Sequence, residues 1–125
     1  MPKDLALTAA EEKLAAIIWR EAPLTSPELV TFAEREMGWK KSTTYTVLRK
    51  LCKKGIFKNE KTNVMVVLTQ DELRAHQSRR YVEDTFGGSL PQFITSFYNG
   101  RKLTSAQAEE LMRLIKAHEG DGGNG

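Results

Sequence analysis

Hydroxyl and basic side chains recur at helical spacing in residues 40–55, KKSTTYTVLRKLCKKG. At about 100° per residue, one side of this predicted helix is mostly apolar. The other side carries the polar set Ser42, Thr43, Thr46, Arg49, Lys50 and Lys53. Short hydroxyls donate and accept hydrogen bonds at close range, and long cations neutralise anions. The pattern therefore predicts a surface that binds a polyanion through charge and hydrogen bonds.

The charge of the chain is concentrated in the same region. Residues 38–61 hold eight of the 19 Lys and Arg but one of the 16 Asp and Glu, a net charge of +7. The other residues hold eleven basic and fifteen acidic side chains, a net −4, so the overall +3 comes from this segment. Charge runs are commonly solvated helix faces. The hydroxyls beside these cations favour nucleic acid over that simpler interpretation.

Two β-prone runs, residues 56–59 and 64–68, follow this helix and are joined by Lys61-Thr62-Asn63. So short a joint predicts a hairpin. Its lysines, Lys58 and Lys61, are suited to phosphate contacts. Asn63, at the predicted tip, is suited to either phosphates or bases.

A Thr followed three residues later by Glu or Gln is a capping box, and this pattern predicts four helix N-termini. The pairs are Thr8 with Glu11, Thr25 with Glu28, Thr69 with Glu72, and Thr104 with Gln107. The first two pairs open short amphipathic helices ahead of residue 40. Pro23 and Gly38 are expected to end those helices.

Helix, helix, basic helix and hairpin, in that order, predict a winged helix-turn-helix domain over residues 1–70. The third helix of such a domain enters the major groove of DNA. The predicted base-contacting residues are Ser42, Thr43 and Thr46, with Arg49 and Lys50 reaching guanine edges or phosphates and Lys53 reaching phosphates. Tyr45 lies at the border of the two faces, where it packs sideways or reaches outward.

Three more helical patterns, near residues 71–86, 90–98 and 105–119, predict a helical domain over residues 71–119. Three helices of this length cannot bury all their apolar side chains by themselves, so we expect a homodimer. The predicted interface residues are Leu73, Tyr81, Phe86, Leu90, Phe93, Ile94, Phe97, Leu111, Leu114 and Ile115. The fold class is mainly α with a small antiparallel β wing, and the Gly-rich residues 120–125 are expected to be a disordered tail.

Length and composition exclude several classes of protein. The 125 residues suit one ordinary domain, or a small domain with an appended helical segment. The longest apolar runs, residues 14–19 and 64–68, fall far short of the roughly 20 residues of a membrane helix. Residues 1–4 lack the apolar core of a signal peptide, so we expect no membrane insertion and a cytoplasmic location. No phosphate-cradling Gly loop and no nucleophile with an evident base occurs, and we expect neither enzyme activity nor a cofactor.

Cysteine and histidine residues are too few and too scattered to predict a metal site. Cys52 is the single cysteine and lies among inward positions, which predicts a buried, inert thiol. His76 and His118 are 42 residues apart with no neighbouring second ligand, which favours surface or packing roles.

Four segments occur in a characteristic order. They are Gly38-Trp39, the helix of residues 43–51, Lys53-Lys54-Gly55, and Phe86-Gly87-Gly88-Ser89-Leu90 ahead of a Phe-rich helix. In this combination the chain resembles the penicillinase repressor family, the BlaI and MecI type of bacterial transcriptional repressor, from about Leu7 to His118. The resemblance implies a homodimer whose N-terminal winged helices bind the halves of a palindromic DNA operator and whose C-terminal helices interlock. By position, the family's base-contacting residues fall on Ser42, Thr43, Tyr45 and Thr46, with Lys50 close by.

The chain departs from this family pattern at three places. Relatives usually carry Lys at the position of Tyr45. Well-studied relatives are inactivated when a membrane sensor protease cuts an Asn-Phe bond in the Phe-rich helix, and the candidate cleavage bond that aligns here is Ser96-Phe97. Copper-responsive relatives carry paired C-terminal cysteines, which this sequence lacks, so metal sensing of that kind is not expected.

The sequence is also compatible with a second function. A winged helix also serves as a protein-interaction module, here one whose basic helix docks an acidic partner. Preference for promoter DNA over competitor DNA separates the two functions.

Overall fold

The computed structural model describes residues 5–120. Within that range the elements are α1 (Ala9–Glu21), β1 (Leu24–Thr25), α2 (Ser26–Met37), α3 (Lys41–Lys53), β2 (Phe57–Glu60), β3 (Asn63–Val66), α4 (Gln70–Phe86), α5 (Leu90–Phe97) and α6 (Ser105–Ala117). The chain divides into two compact units, the first ending at Tyr81 and the second beginning at Val82. The division lies inside α4, whereas the sequence suggested a boundary near residue 70.

All four predicted capping boxes are formed. At the start of α1 the backbone N–H of Thr8 donates to Glu11 Oε1 at 2.9 Å, and Glu11 N–H donates to Thr8 Oγ1 at 3.1 Å. The same reciprocal pair of bonds opens α2, α4 and α6. Each pair satisfies two backbone donors that a helix start leaves without partners. The N-termini of these four helices are therefore determined by local sequence.

The sheet contains one more strand than the hairpin predicted from sequence. Its order is β1-β3-β2 with antiparallel pairing, and β1 is formed by two residues just before α2. The strand predicted for residues 64–68 ends at Val66. The N–H groups of Val67 and Leu68 instead donate to the carbonyl oxygen of Ile56, at 2.9 and 3.0 Å.

An apolar core lies between the first three helices and the sheet and includes Leu73 of α4. Its fully buried large side chains are Leu14, Ile18, Leu29, Leu48, Leu51, Ile56, Phe57 and Val64. Each contributes about 1.5–3 kcal/mol relative to an exposed position. Trp19 joins α1 to the sheet, because its ring centroid lies 5.3 Å from that of Phe57 and its indole N–H donates to the carbonyl oxygen of Leu68 at 2.9 Å. The core anchors the inward face of α3.

The second unit has a different distribution of apolar side chains. Neither α5 nor α6 contains a buried residue, although both are rich in Phe, Leu and Ile. Aromatic rings follow one another along α5, with centroids of Phe93 and Phe97 6.0 Å apart and those of Phe97 and Tyr98 4.9 Å apart. None of the helices in residues 5–120 is long and apolar enough to cross a lipid bilayer. The tail predicted for residues 120–125 lies, apart from Gly120, outside the described residues.

Candidate nucleic-acid interface

The outward face of α3 is exposed along its whole length. The exposed residues are Ser42, Thr43, Thr46, Arg49, Lys50 and Lys53, as the helical spacing predicts. On the opposite face, Thr44, Val47, Leu48 and Leu51 are buried in the core. The helix thus presents hydroxyls and cations in one row while its other side is held by the fold.

The hydroxyl of Thr46 has one role inside the helix. Its Oγ1 donates to the backbone carbonyl of Ser42 at 2.9 Å. The proton of this hydroxyl is therefore already used, and the oxygen lone pairs and the methyl group remain for a ligand. Ser42 and Thr43 keep exposed hydroxyls one turn earlier.

The N-terminus of α3 lacks a side-chain cap. Lys40 occupies the N-cap position with φ −76° and ψ 156°, and no side-chain cap hydrogen bond is present there. The first turn contains no acidic residue, and Lys40 and Lys41 are exposed beside it. The start of this helix is thus a concentration of positive charge and backbone donors, in contrast to the acid-containing capping boxes that open α1 and α2.

The wing turns through two residues. Glu60 pairs with Asn63, so Lys61 and Thr62 form the turn, with φ of +49° and +68°. Asn63 was expected at the tip but is the first residue of the central strand, where it also pairs with Thr25. Its exposed side chain still belongs to the wing, on the face that also carries Met65.

The wing lysines have different surroundings. Lys61 is exposed at the turn. Lys58 Nζ lies 3.0 Å from Glu60 Oε2, so a carboxylate partly offsets its charge. Lys61 is therefore the better placed of the two for a phosphate.

Lys54 is counted in the +7 segment but is not among the predicted DNA-contacting residues, and it serves the fold. Its Nζ donates to Glu11 Oε1 at 2.6 Å and to the carbonyl oxygen of Ala6 at 2.8 Å. Burial raises the pKa of Glu11, but the hydrogen bonds from Lys54 and the Thr8 backbone outweigh it and hold that pKa below its ordinary value. Glu11 is 3% exposed. The pair ties the C-terminal end of α3 to the start of α1, a contact across 43 positions that no local pattern reveals.

Tyr45 is half-buried at the side of α3 rather than on its outward row. Its hydroxyl donates to Ser26 Oγ at 3.4 Å, and Lys41 Nζ lies 6.0 Å from the ring centroid. Of the two placements open from sequence, the structure shows the sideways one.

Cys52 is half-buried on the inward side of α3, where burial raises the pKa of its thiol against a hydrogen bond from the Asn59 backbone. A raised pKa keeps the thiol protonated and weakly nucleophilic at neutral pH. Within residues 5–120 no three His, Cys, Asp or Glu side chains converge as metal ligands.

The predicted interface residues of the second half of the chain fall into three groups. Leu73 is 3% exposed in the core of the first unit, so it has almost no surface to offer a partner. Phe86, Phe93, Ile94 and Leu111 are half-buried. The third group is more than half exposed and consists of Tyr81, Leu90, Phe97, Leu114 and Ile115. Met112, which is not among the predicted interface residues, is 65% exposed.

The first unit defines the class: it is a winged helix-turn-helix whose third helix carries an exposed polar face. Its fold is similar to the solution structure of the DNA binding domain of the repressor BlaI, with a TM-score of 0.50, 22% sequence identity, and coverage of 58% of this chain and 93% of that one. The profile of the penicillinase repressor family matches residues 7–117. The chain belongs to the penicillinase repressor family.

The relatives in this family are distant in sequence, and the two described next align over most of their length. The penicillinase repressor of Bacillus licheniformis is 21% identical over 126 residues, covering 95% of this chain and 96% of that protein. The methicillin resistance regulatory protein MecI of Staphylococcus aureus (strain N315) is 19% identical over 117 residues, covering 90% and 95%. The similarity therefore extends through both units.

Proposed function

We propose that this chain is a dimeric DNA-binding transcriptional repressor. The observation that carries the proposal is the exposed row of hydroxyls and cations on α3, whose opposite face is fixed in the core. A major groove about 12 Å wide admits one α-helix. Membership in a family of repressors supports the same conclusion.

Each part of the surface has a chemical task in this proposal. Ser42, Thr43 and Thr46 contact base edges, and the methyl group of Thr46 suits a thymine methyl group. Arg49 and Lys50 reach guanine edges or phosphates. Lys53, Lys58, Lys61 and Asn63 follow the backbone, and the uncapped start of α3 lies at another phosphate.

The apolar side chains of the second unit support dimerisation. Exposed Leu, Ile, Met and Phe side chains on α5 and α6 are buried when a second copy packs against them. Two linked winged helices then bind a palindromic operator of two half-sites, and linkage raises affinity through effective concentration.

Release from the operator is proposed to act on the second unit. Ser96 and Phe97 are both exposed in the single chain at the C-terminal end of α5, and the proposed cleavage by a membrane sensor protease is at the bond between them. A cut there separates α6 from the winged helix and leaves α3 intact.

Fluorescence-polarisation titration tests the proposal directly. The probes are a duplex from the promoter upstream of the protein's own gene and a scrambled duplex of equal composition. We expect tighter binding to the promoter, and we expect Thr46→Ala to cost about 1–3 kcal/mol on the promoter and little on the scrambled duplex. Equal affinity for both duplexes contradicts the proposal and favours a module that docks an acidic protein.

A further inference from the structure

Tyr45 and Ser26 connect two elements that the proposed function treats as separate. Ser26 is the first residue of α2 and is 3% exposed, so its polar atoms depend on protein partners. Its Oγ accepts the hydrogen bond of the Tyr45 hydroxyl, which comes from α3. Tyr45 therefore contacts the buried start of α2, whereas the residues of the exposed row of α3 face away from the core.

The same serine holds the turn of the wing. The backbone N–H of Ser26 donates to the carbonyl oxygen of Thr62 at 2.8 Å. Thr62 and Lys61 both have positive φ, which is costly for residues other than Gly, so the turn depends on surrounding contacts to keep its shape. Pairing of Thr25 with Asn63 adds a second connection at the same point.

We infer that Tyr45 and Ser26 are positioning residues that set the distance between the recognition helix α3 and the Lys61 turn of the wing. A helix in the major groove and a cation at the backbone contact one duplex together only when their spacing matches that of the DNA. The inference rests on the proposed DNA binding and revises the expectation that Tyr45 contacts bases. Two hydrogen bonds carry the inference. The Tyr45 hydroxyl donates to Ser26 Oγ, and the Ser26 N–H donates to the carbonyl oxygen of Thr62, the neighbour of Lys61 in the turn.

The salt dependence of DNA binding tests this inference. Loss of one phosphate contact lowers the slope of log K against log salt by about one. We expect Lys61→Gln to have that effect in the otherwise unchanged protein. We expect the effect to fall to less than about half in the Tyr45→Phe and Ser26→Ala backgrounds. Both variants remove the side-chain bond that fixes α3 against the start of α2, whose backbone bond to Thr62 stays in place, so the spacing between α3 and residue 61 is no longer set. The promoter duplex is the probe.

Controls separate positioning from loss of fold. Tyr98→Phe and Ser78→Ala remove the same groups elsewhere and should leave the Lys61→Gln effect unchanged. A merely destabilised protein has fewer active molecules but the same salt slope, and melting curves show how much protein is folded. If Ser26→Ala does not fold, Tyr45→Phe, which removes only a hydroxyl, carries the test by itself.

Two outcomes overturn the inference while leaving the proposed function intact. One is a Lys61→Gln effect of equal size in every background. The other is a silent Ser26→Ala together with a Tyr45→Phe variant that changes preference at one base pair, which makes Tyr45 a base-contacting residue. Failure of the unmodified protein to prefer the promoter is a different result, and it removes the proposed function and this inference together.

Discussion

Two adjacent lysines at the end of α3 differ in what surrounds them. Lys53 is exposed on the outward row, whereas Lys54 is half-buried and bound to Glu11 and to the carbonyl of Ala6. At the residue scale, the net charge of the segment therefore overstates the number of cations available to a ligand. A cation that satisfies a buried carboxylate is part of the fold and is not available to a ligand.

Replacing each lysine by Met should give opposite results. Lys54→Met leaves the Glu11 carboxylate buried without its partner, and we expect a loss of about 2 kcal/mol in the free energy of unfolding. Lys53→Met should leave stability within about 0.5 kcal/mol but weaken binding to both promoter and scrambled duplex. Urea unfolding and polarisation titration measure the two effects. Weaker DNA binding by folded Lys54→Met, as large as that of Lys53→Met, contradicts this division.

Glu11 also predicts how stability depends on pH. Its pKa is lower in the folded chain than its ordinary value of 4.5, because hydrogen bonds from Lys54 and from Thr8 outweigh burial. A group of this kind stabilises the fold fully above its unfolded pKa and loses that contribution as the pH falls through its folded pKa. We expect the stability difference between the unmodified chain and Glu11→Gln to be largest above about pH 5 and to shrink below it. A difference that is constant from pH 7 to 3 contradicts the assigned pKa.

At the scale of elements, α3 begins differently from the other helices of the first unit. The N-cap position holds Lys40 in a geometry suited to Ser or Asp, whereas Thr residues cap α1 and α2. A helix start without a cap costs stability. The arrangement is understandable if a phosphate supplies the missing acceptor.

Capping α3 should therefore separate stability from function. Lys40→Ser adds an acceptor for the first-turn N–H groups, and we expect it to stabilise the chain by about 1 kcal/mol and to weaken DNA binding. Lys40→Gln, which removes the same charge and adds no cap, is the matched control and should weaken binding less. If the two variants bind DNA equally well, the start of α3 does not lie at a phosphate.

Elements with local signals were predictable and elements defined by distant contacts were not. Capping boxes span three residues, and the two faces of α3 follow from its period, so helix starts and the exposed row were found from sequence. The two-residue strand β1 exists because it pairs with β3, about 40 residues later. Leu73 looked like an interface residue because nothing in its helical pattern shows that the first unit buries it.

At the scale of the whole molecule, the apolar side chains of α5 and α6 need a partner. Leu114→Glu puts a charge among exposed apolar residues, and Arg113→Glu puts the same charge on the neighbouring exposed position. We expect Leu114→Glu to separate the dimer and to weaken operator binding, and Arg113→Glu to preserve the dimer. Sedimentation should show about twice the chain mass of 14.1 kDa for the unmodified protein and for Arg113→Glu. A monomeric unmodified protein at micromolar concentration removes the proposed dimer.

The central claim is that the exposed row of α3 lies against duplex DNA. Titration of the ¹⁵N-labelled chain with the promoter duplex, followed by amide chemical shifts, tests it residue by residue. The account predicts the largest shift changes between Lys41 and Lys53 and at the Lys61–Thr62 turn, with small changes in the first turns of α1. Chemical-shift changes confined to other elements, with the amides of α3 unaffected, would contradict the claim that α3 lies against DNA.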